Sequence, residues 1–411
     1  MLKDAMYMRT YDLITPEGTR DLLFDECRIR RIAESKLSEI FTRKGYSEVV
    51  TPGLEFYDVF NRGSRYFKQE SMYKLVDSKG RLLVMRPDST MPIARLVATR
   101  LRDGYFPLKL FYNQSIYTSN RSLAGRSDEV IQSGIEIIGG QQRRADLEAL
   151  TIAIDTLSIC KQRNFRLEIG NIAFFKELVS LLNTSDENRE QIRDLIEAKN
   201  YPALNELLDS IGQSDVVTAL KQLPRLFGGV EVLDKAATLY SNEITNAVIS
   251  SLREVYNDLC SLGLGDSVTI DLGLVNRTDY YTGLIFRGYA QGIGEAVLSG
   301  GRYDKLIAEF GFDMPATGFA VNVDAIARVM QNSDDNVSVK PDLIVYGEDG
   351  FEMQSILYAD KLISTGMTVE NAISESLKEV KNYALARGIL RIDIVGESVK
   401  TIEVGDENAN S

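Results

Sequence analysis

The sequence has 411 residues, 44% of them hydrophobic, and its 47 basic and 59 acidic residues give a formal net charge of −12. It contains no histidine, which excludes histidine-ligated zinc, histidine general bases and Ser-His-Asp triads, and the acidic balance disfavours general nucleic-acid binding. A chain of this length should form two or three domains. No run of 18 apolar residues occurs, and the three cysteines form no CxxC pair. We therefore expect a soluble cytoplasmic protein without a membrane span or a metal site.

The first hundred residues alternate between helical and extended patterns. A turn-rich segment at residues 16–21 precedes a long amphipathic helix that ends at Gly45, and a short strand follows and ends at Pro52. A hairpin is predicted over residues 72–85. The next helix has Pro92 in its first turn, a position that tolerates the missing amide proton.

Two longer strands are predicted at residues 108–117 and 129–138, on either side of a polar loop. In the second strand Gln132, Gly134 and Glu136 share one face, because successive side chains of a strand alternate. A polar face with a small central residue, which leaves room above it, suits a small charged ligand. The alternative is an ordinary solvated sheet face.

The middle of the chain is predominantly helical. A helix is predicted at residues 145–163, and a strand at residues 165–169 precedes Asn171, which should cap the next helix. From about residue 171 to 263 the apolar period is helical almost throughout, which predicts a helical insertion between two halves of a sheet. This order of elements favours an α+β fold over a doubly wound one.

The glycine-rich run at residues 271–304 predicts antiparallel strands, with one strand from about Tyr280 to Tyr289. Gly300 and Gly301 indicate a close approach of backbone. The side chains expected around one region are Asp279, Tyr280, Tyr281, Arg302 and Tyr303. The alternative is a meander with ordinary cross-strand tyrosine packing. Neither a GxGxxG nor a GxxxxGK[ST] spacing occurs, which disfavours a phosphate cradle.

The end of the chain changes composition. Residues 333–340 are rich in Asp, Asn, Ser and Lys and predict a linker after a main domain at residues 1–332. A small C-terminal α/β domain is predicted at residues 341–404, with a polar tail at residues 405–411.

Several motifs of the main domain resemble the histidine-binding signatures of histidyl-tRNA synthetase. In the order of that family, they are TPEGTRD, RPDST, QSGIEIIG, LGLVNRTDYYTG, SGGRYDKL and ATGFAVNVDAI. Because they cover about residues 10–330 in several separate pieces, they are more specific than any single motif. The resemblance implies the class II aminoacyl-tRNA-synthetase fold, an antiparallel sheet with flanking helices. It also implies a dimer formed through the first long helix and the strand that ends at Pro52.

Three positions depart from that family where its arginines hold the α-phosphate of ATP or promote formation of the adenylate. Thr118 replaces the arginine of the second motif, Asn276 that of the histidine signature, and Ala325 that of the third motif. Fixed guanidinium groups stabilise the charge that develops when a carboxylate attacks phosphorus, and losing one preorganised donor costs roughly a hundredfold in rate. The resemblance therefore implies no catalytic residues.

The amino-acid side of the implied pocket is retained. The residues that match the family's histidine contacts are Asp88 (where the family has Glu), Thr90, Gln132, Glu136, Tyr280, Tyr281 and Tyr303. By resemblance, the acids suit an α-ammonium group, and Glu136 or a tyrosine hydroxyl suits an imidazole.

The chain retains the residues that contact the amino acid and has lost those that contact ATP. In this pattern it resembles the histidyl-tRNA-synthetase-like regulatory subunits of ATP phosphoribosyltransferase. Members of that family lack aminoacylation activity and join the short-form catalytic subunit in a hetero-octamer. They serve the first step of histidine biosynthesis and its feedback inhibition by free histidine. We expect the same here, with no cofactor and with no tRNA bound, because the small domain shows no basic aromatic surface.

Two alternatives remain at this stage. One is a working but divergent histidyl-tRNA synthetase, and the other is a synthetase-like paralogue with another partner, such as a ligase acting on a protein or a small amine. Both would need the phosphate-binding arginines.

Overall fold

The computed structural model describes residues 13–61, 67–120, 127–159, 164–276, 280–331 and 340–405. The chain divides into two units, residues 1–333 and 334–411. Asp279, most of the expected linker and most of the expected tail lie outside the described residues.

The described part of the first unit alternates helices and strands. The helices are α1 (Phe24–Arg43), α2 (Tyr57–Phe60), α3 (Thr90–Arg100), α4 (Gln142–Ser158), α5 (Ile172–Ser180), α6 (Asp186–Glu197), α7 (Tyr201–Ile211), α8 (Asp215–Gln222), α9 (Glu231–Leu239), α10 (Glu243–Ser261) and α11 (Val323–Gln331). The strands are β1 (Ser47–Glu48), β2 (Leu54–Phe56), β3 (Lys74–Val76), β4 (Leu82–Met85), β5 (Leu108–Tyr117), β6 (Glu129–Ile138), β7 (Phe165–Asn171), β8 (Phe227–Gly228), β9 (Val268–Asp271), β10 (Leu284–Ala290), β11 (Leu298–Arg302) and β12 (Ala316–Asn322).

A nine-stranded sheet in the order β1-β5-β6-β12-β11-β10-β7-β9-β8 organises this unit. Its neighbours are antiparallel except for β1 with β5 and β7 with β9. Strands β5 and β6 pair over their whole predicted length, from Leu108 opposite Ile138 to Tyr117 opposite Glu129. The α+β prediction is confirmed, and the two parallel pairs make the sheet mixed.

Helices α1 and α4 cover one face of this sheet. Phe41 of α1 packs its ring against Phe111 of β5 and Phe319 of β12, at centroid distances of 5.9 and 6.0 Å. On the same face Leu157 of α4 lies so close to Gly288 that a Cβ there would meet it at 2.9 Å. This face is therefore filled by apolar packing, and the opposite face is left for polar chemistry.

The placement expected for Arg302 is wrong. Its guanidinium is buried against α4, where it donates to Asp146 Oδ1 at 2.7 Å and to the Gln142 carbonyl at 3.0 Å. Adjacent residues at the end of a strand point to opposite faces, so Arg302 turns to the helical face and Tyr303 to the other. Arg302 thus fastens α4 to β11 and takes no part in the polar face.

The strands of the glycine-rich run differ from the prediction in their limits. Strand β9 ends at Asp271 because the Asp271 Oδ1 accepts the Gly273 amide at 2.8 Å, which closes a turn. Strand β10 begins only at Leu284, so Tyr280 precedes it in an irregular segment. The close approach at Gly300 is confirmed, because a Cβ there would overlap the Gly318 carbonyl.

Between β7 and β9, helices α5 to α10 and the short strand β8 follow the predicted helical pattern. Five of these six helices begin at a polar side chain that accepts an amide of the first turn; the caps are Asn171, Ser185, Asn200, Ser214 and Asn242. Such caps satisfy amides that have no partner within the helix.

The second unit contains β13 (Leu343–Gly347), α12 (Glu352–Ser364), β14 (Val369–Asn371), α13 (Leu377–Arg387), β15 (Arg391–Val395) and β16 (Val399–Glu403). The sheet order is β14-β13-β15-β16, with β16 antiparallel to its neighbour. Buried Asp393 accepts from Arg391, Thr401 and Tyr358 at 2.7, 2.7 and 2.9 Å. In neither unit is any described helix both long and apolar enough to cross a membrane.

The buried pair of Arg302 and Asp146 yields a stability prediction. Asp146→Ala leaves the guanidinium buried with Asp304 as its remaining ionic partner, at 2.8 Å, and should lower the free energy of unfolding by about 3 kcal/mol. Asp258→Ala, which breaks the more exposed pair with Arg143, should cost at most about 1 kcal/mol. Urea denaturation measures both, and equal losses would contradict the role given to Arg302.

Candidate functional site

The polar face of the sheet and the N-terminus of α3 enclose a cavity of about 180 Å³. Seven residues predicted as histidine contacts all line it; they are Asp88, Thr90, Gln132, Glu136, Tyr280, Tyr281 and Tyr303. Asn276, one of the three departures from the synthetase pattern, lines it as well. Pockets for drug-sized molecules occupy roughly 300–1,000 Å³, so this cavity suits a ligand the size of one amino acid.

Asp88 precedes α3 and is held by the first turn of that helix. Its Oδ1 accepts the Met91 amide at 2.8 Å, and the Thr90 amide and the Tyr280 hydroxyl also donate to the carboxylate. Burial raises the pKa of Asp88 to about 6, and the three donors oppose that rise. Asp88, which stands where the synthetase family has glutamate and precedes the N-cap Ser89, therefore satisfies two amides of the first turn of α3.

Glu136 lies on β6 with only 1% of its surface exposed. Its Oε1 accepts the Thr90 hydroxyl at 2.8 Å, and its Oε2 accepts the Tyr303 hydroxyl. Burial raises the pKa of Glu136 to about 8 against the two hydrogen bonds, and the neighbouring charge of Asp88 adds to the rise. At neutral pH Glu136 is therefore mainly the neutral acid.

Three tyrosines line the cavity, and two of them, Tyr280 and Tyr303, donate hydrogen bonds to its carboxyl groups. The rings of Tyr280 and Tyr281 lie 4.7 Å apart between centroids, and those of Tyr280 and Tyr303 lie 5.7 Å apart in an edge contact. Burial raises the pKa of Tyr280 and of Tyr303 well above the usual value, so both hydroxyls remain hydrogen-bond donors. Aromatic packing and a polar lining thus coexist. The two interpretations of this segment, a cluster around a ligand and ordinary tyrosine packing, do not exclude each other.

Small residues on two adjacent strands, β11 and β12, form the floor of the cavity, and sequence analysis missed them. Gly318 lies opposite Glu136, and Ala320 of the same strand lies opposite Ser299. A Cβ at Gly318 would overlap the Glu136 carboxylate, so this glycine makes space for the acid. Their alternation at residues 318 and 320 of one strand was a signal that could have revealed them.

The interpretation of Gly134 needs a correction. It leaves room as expected, but a Cβ there would lie only 2.6 Å from the hydroxyl of Tyr112, which pairs with it across β5 and β6. The space between Gln132 and Glu136 is therefore taken by an aromatic side chain of the protein and is not open to a ligand.

A larger cavity of about 780 Å³ lies beside the ends of β5 and β6. Thr118 and Asn120, where the synthetase pattern has an arginine and an acid, line it, whereas Ala325 is fully buried and lines neither cavity. Its described charged residues are Glu26, Asp128, Glu129, Glu295 and Asp324 with Arg20, Arg30 and Arg328. Acids outnumber bases among them, which disfavours a triphosphate.

Comparison with known proteins decides the family. A family model described as histidyl-tRNA synthetase matches residues 18–326. An ATP phosphoribosyltransferase regulatory subunit of Clostridium kluyveri is 43% identical over 380 residues, which cover 91% of this chain and 97% of that protein. The chain belongs to the family of ATP phosphoribosyltransferase regulatory subunits. The family assignment from sequence is confirmed.

Solved structures agree with this family. A structure from Bacillus halodurans described as an ATP phosphoribosyltransferase regulatory subunit/histidyl-tRNA synthetase has a TM-score of 0.78 at 29% identity and covers 90% of this chain and 96% of its own. Histidyl-tRNA synthetase of Nostoc sp. PCC 7120 has a TM-score of 0.75 at 20% identity, covering 95% and 96%, a likeness of fold. The synthetase-like fold is thereby confirmed.

The raised pKa of Glu136 predicts how stability depends on pH. Its value is about 8 in the folded chain and about 4.5 when exposed, so the folded state binds more protons between those limits and stability falls as pH rises through them. Glu136→Gln cannot ionise and should raise the thermal midpoint at pH 8 by about 2 °C or more, with little change at pH 5. Differential scanning fluorimetry across this range measures the effect.

The exposed Glu206→Gln is the control and should leave the midpoint unchanged at both pH values, since its side chain lies on the surface of α7. A variant at Glu136 that is less stable than the wild type at pH 8 would contradict the buried-acid assignment.

Proposed function

We propose that this chain is a non-catalytic subunit that binds free histidine in the 180 Å³ cavity and thereby regulates ATP phosphoribosyltransferase. The observation that carries the proposal is the lining of that cavity, where two buried carboxylates and three tyrosines meet. The proposed partner is the short-form catalytic subunit, in a hetero-octamer that serves the first step of histidine biosynthesis.

The lining matches the groups of histidine. A carboxylate such as Asp88 suits the α-ammonium group, and Glu136 with the tyrosine hydroxyls suits the two nitrogens of an imidazole. Both acids are oriented by hydrogen bonds from the protein before any ligand arrives, which lowers the entropy lost on binding.

Catalysis of aminoacylation is disfavoured on charge grounds. Thr118, Asn276 and Ala325 provide no guanidinium group, and removing one fixed donor of this kind costs about 10²–10³ in rate. Ala325 is fully buried in the core, so the third-motif position does not reach either cavity. A protein that binds histidine and does not convert it to an adenylate can act as a sensor of free histidine.

Feedback inhibition needs a route from the cavity to the rest of the complex. The ammonium group of Lys176 in α5 donates a hydrogen bond to the Tyr281 carbonyl at 2.9 Å, so the helical insertion is linked to the backbone of a residue that lines the cavity. A ligand shifts an equilibrium only if it binds two states with different affinity. We propose that histidine favours the inhibited state through this segment and α3.

Self-association is proposed at the edge of the sheet near α1. Apolar side chains stand exposed after β1 and on β2 to β4, which form a separate three-stranded sheet; they are Val50, Leu54, Phe56, Val76 and Leu82. Strand β1 ends the nine-stranded sheet in the single chain. Exposed apolar patches of this kind mark protein interfaces.

The histidine site is tested by calorimetry. Glu136→Gln should weaken histidine binding by about tenfold or more, because an amide replaces the carboxyl group that is proposed to contact the imidazole, and it should relieve inhibition of the reconstituted complex equally. Glu129→Gln, on the same strand but lining the larger cavity, should keep its affinity within about twofold. Undiminished binding in the Glu136 variant would remove the proposed site.

Catalysis is tested by pyrophosphate exchange between ATP and histidine. The purified chain should show no exchange above background, because the developing charge on the α-phosphate finds no fixed guanidinium at the three positions. Steady exchange would contradict the non-catalytic assignment and favour a divergent histidyl-tRNA synthetase.

The dimer is tested by sedimentation. Val50→Glu combined with Leu54→Glu places two charges on the exposed patch and should dissociate the dimer, because buried unpaired charges are costly. Ile244→Glu, at an exposed apolar position on α10, should not. A dimer that withstands the double substitution would exclude this surface.

A further inference from the structure

The charge of the small cavity is one-sided. Its described lining contains two carboxylates, Asp88 and Glu136, and neither lysine nor arginine. The remaining polar groups there are neutral; they are Thr90, Gln132, Asn276, Ser299 and the tyrosine hydroxyls. An amino acid brings one ammonium and one carboxylate, and only the ammonium finds an opposite charge in this lining.

The helix N-terminus that could hold an anion is already occupied. Helix α3 begins at Thr90 beside the cavity, and such a terminus is an ordinary seat for a carboxylate. Here the Thr90 and Met91 amides donate to Asp88. The helix therefore stabilises an acid of the protein, and these two amides are engaged before a ligand binds.

The two acids are also close neighbours. Thr90 joins them, since its amide donates to Asp88 and its hydroxyl donates to Glu136 at 2.8 Å. A ligand carboxylate in this cavity would face the negative charge of Asp88 and would lose its hydration without a cationic partner in the described lining. Both effects oppose the binding of an anion.

We propose that this cavity selects cationic imidazole amines and gives the ligand's carboxylate no ionic contact, so that derivatives without that charge bind more tightly than histidine. The proposal rests on the function proposed above and narrows the ligand class of the same site. Asn276 is the specificity-determining residue, because it stands in the lining where the synthetase signature has arginine.

Calorimetry of the full chain at pH 7 measures separately how the ammonium group and the carboxylate group of the ligand affect its affinity. The probes are L-histidine, L-histidine amide, histamine and imidazolepropionate, which lacks the ammonium group. The amide and histamine should bind at least about threefold more tightly than histidine, and imidazolepropionate at least about tenfold more weakly. Histidine binding tenfold tighter than both neutralised derivatives would overturn the proposal.

Two substitutions test whether a positively charged side chain contacts the carboxylate of the ligand. Asn276→Arg should restore an ionic partner and shift the ratio of histidine to amide affinity by about tenfold towards histidine. Arg277 follows in the sequence and lies outside the described residues; Arg277→Gln should leave that ratio unchanged. A ratio that moves towards the amide in Arg277→Gln would show that this arginine holds the carboxylate, and the proposal would fail.

The outcomes distinguish this inference from the proposed function. If none of the four compounds binds, the histidine site itself is wrong and both fall. If histidine binds and the neutralised derivatives do not, the site stands and only the preference for cationic amines is refuted.

Discussion

The candidate site depends on the hydrogen bonds that Thr90 makes at the start of α3. Its hydroxyl donates to Glu136 and its amide to Asp88, so one residue orients two buried acidic side chains. Tyr303 and Tyr280 complete the set from the glycine-rich strands. Burial raises the pKa of both carboxyl groups, and the neighbouring charge of Asp88 adds to the rise at Glu136, a perturbation that is common at functional sites.

In the proposed function, the scaffold binds an amino acid and does not form an adenylate from it. Asn276 leaves the small cavity without an arginine at that position, and the described lining of the larger cavity carries more acids than bases. The fold is that of a synthetase, and membership of the regulatory-subunit family follows from relatives that match nearly the whole chain. Charge distribution is the physical difference between the two uses, because adenylation requires preorganised cations around the phosphate.

Sequence analysis predicted the long paired strands correctly and failed where the backbone changes direction. Strands β5 and β6 have their predicted limits and pair with each other over that whole length. Arg302 was assigned to the wrong face. Arg302 and Tyr303 are consecutive, and successive side chains of a strand point to opposite faces, so the two cannot both lie on the polar face. Tyr112 above Gly134 could not be foreseen, since that contact depends on which residue of the next strand lies opposite. The family motifs identified the lining residues, and only the fold showed that they share one cavity.

A crystal structure of the chain with bound histidine is the measurement that tests the central claim most directly. The account predicts the imidazole against Glu136 and Tyr303, and the ammonium group beside Asp88, in the cavity on the polar face of the sheet. Histidine found elsewhere, or the cavity empty at saturating histidine while the ligand inhibits the complex, would contradict it.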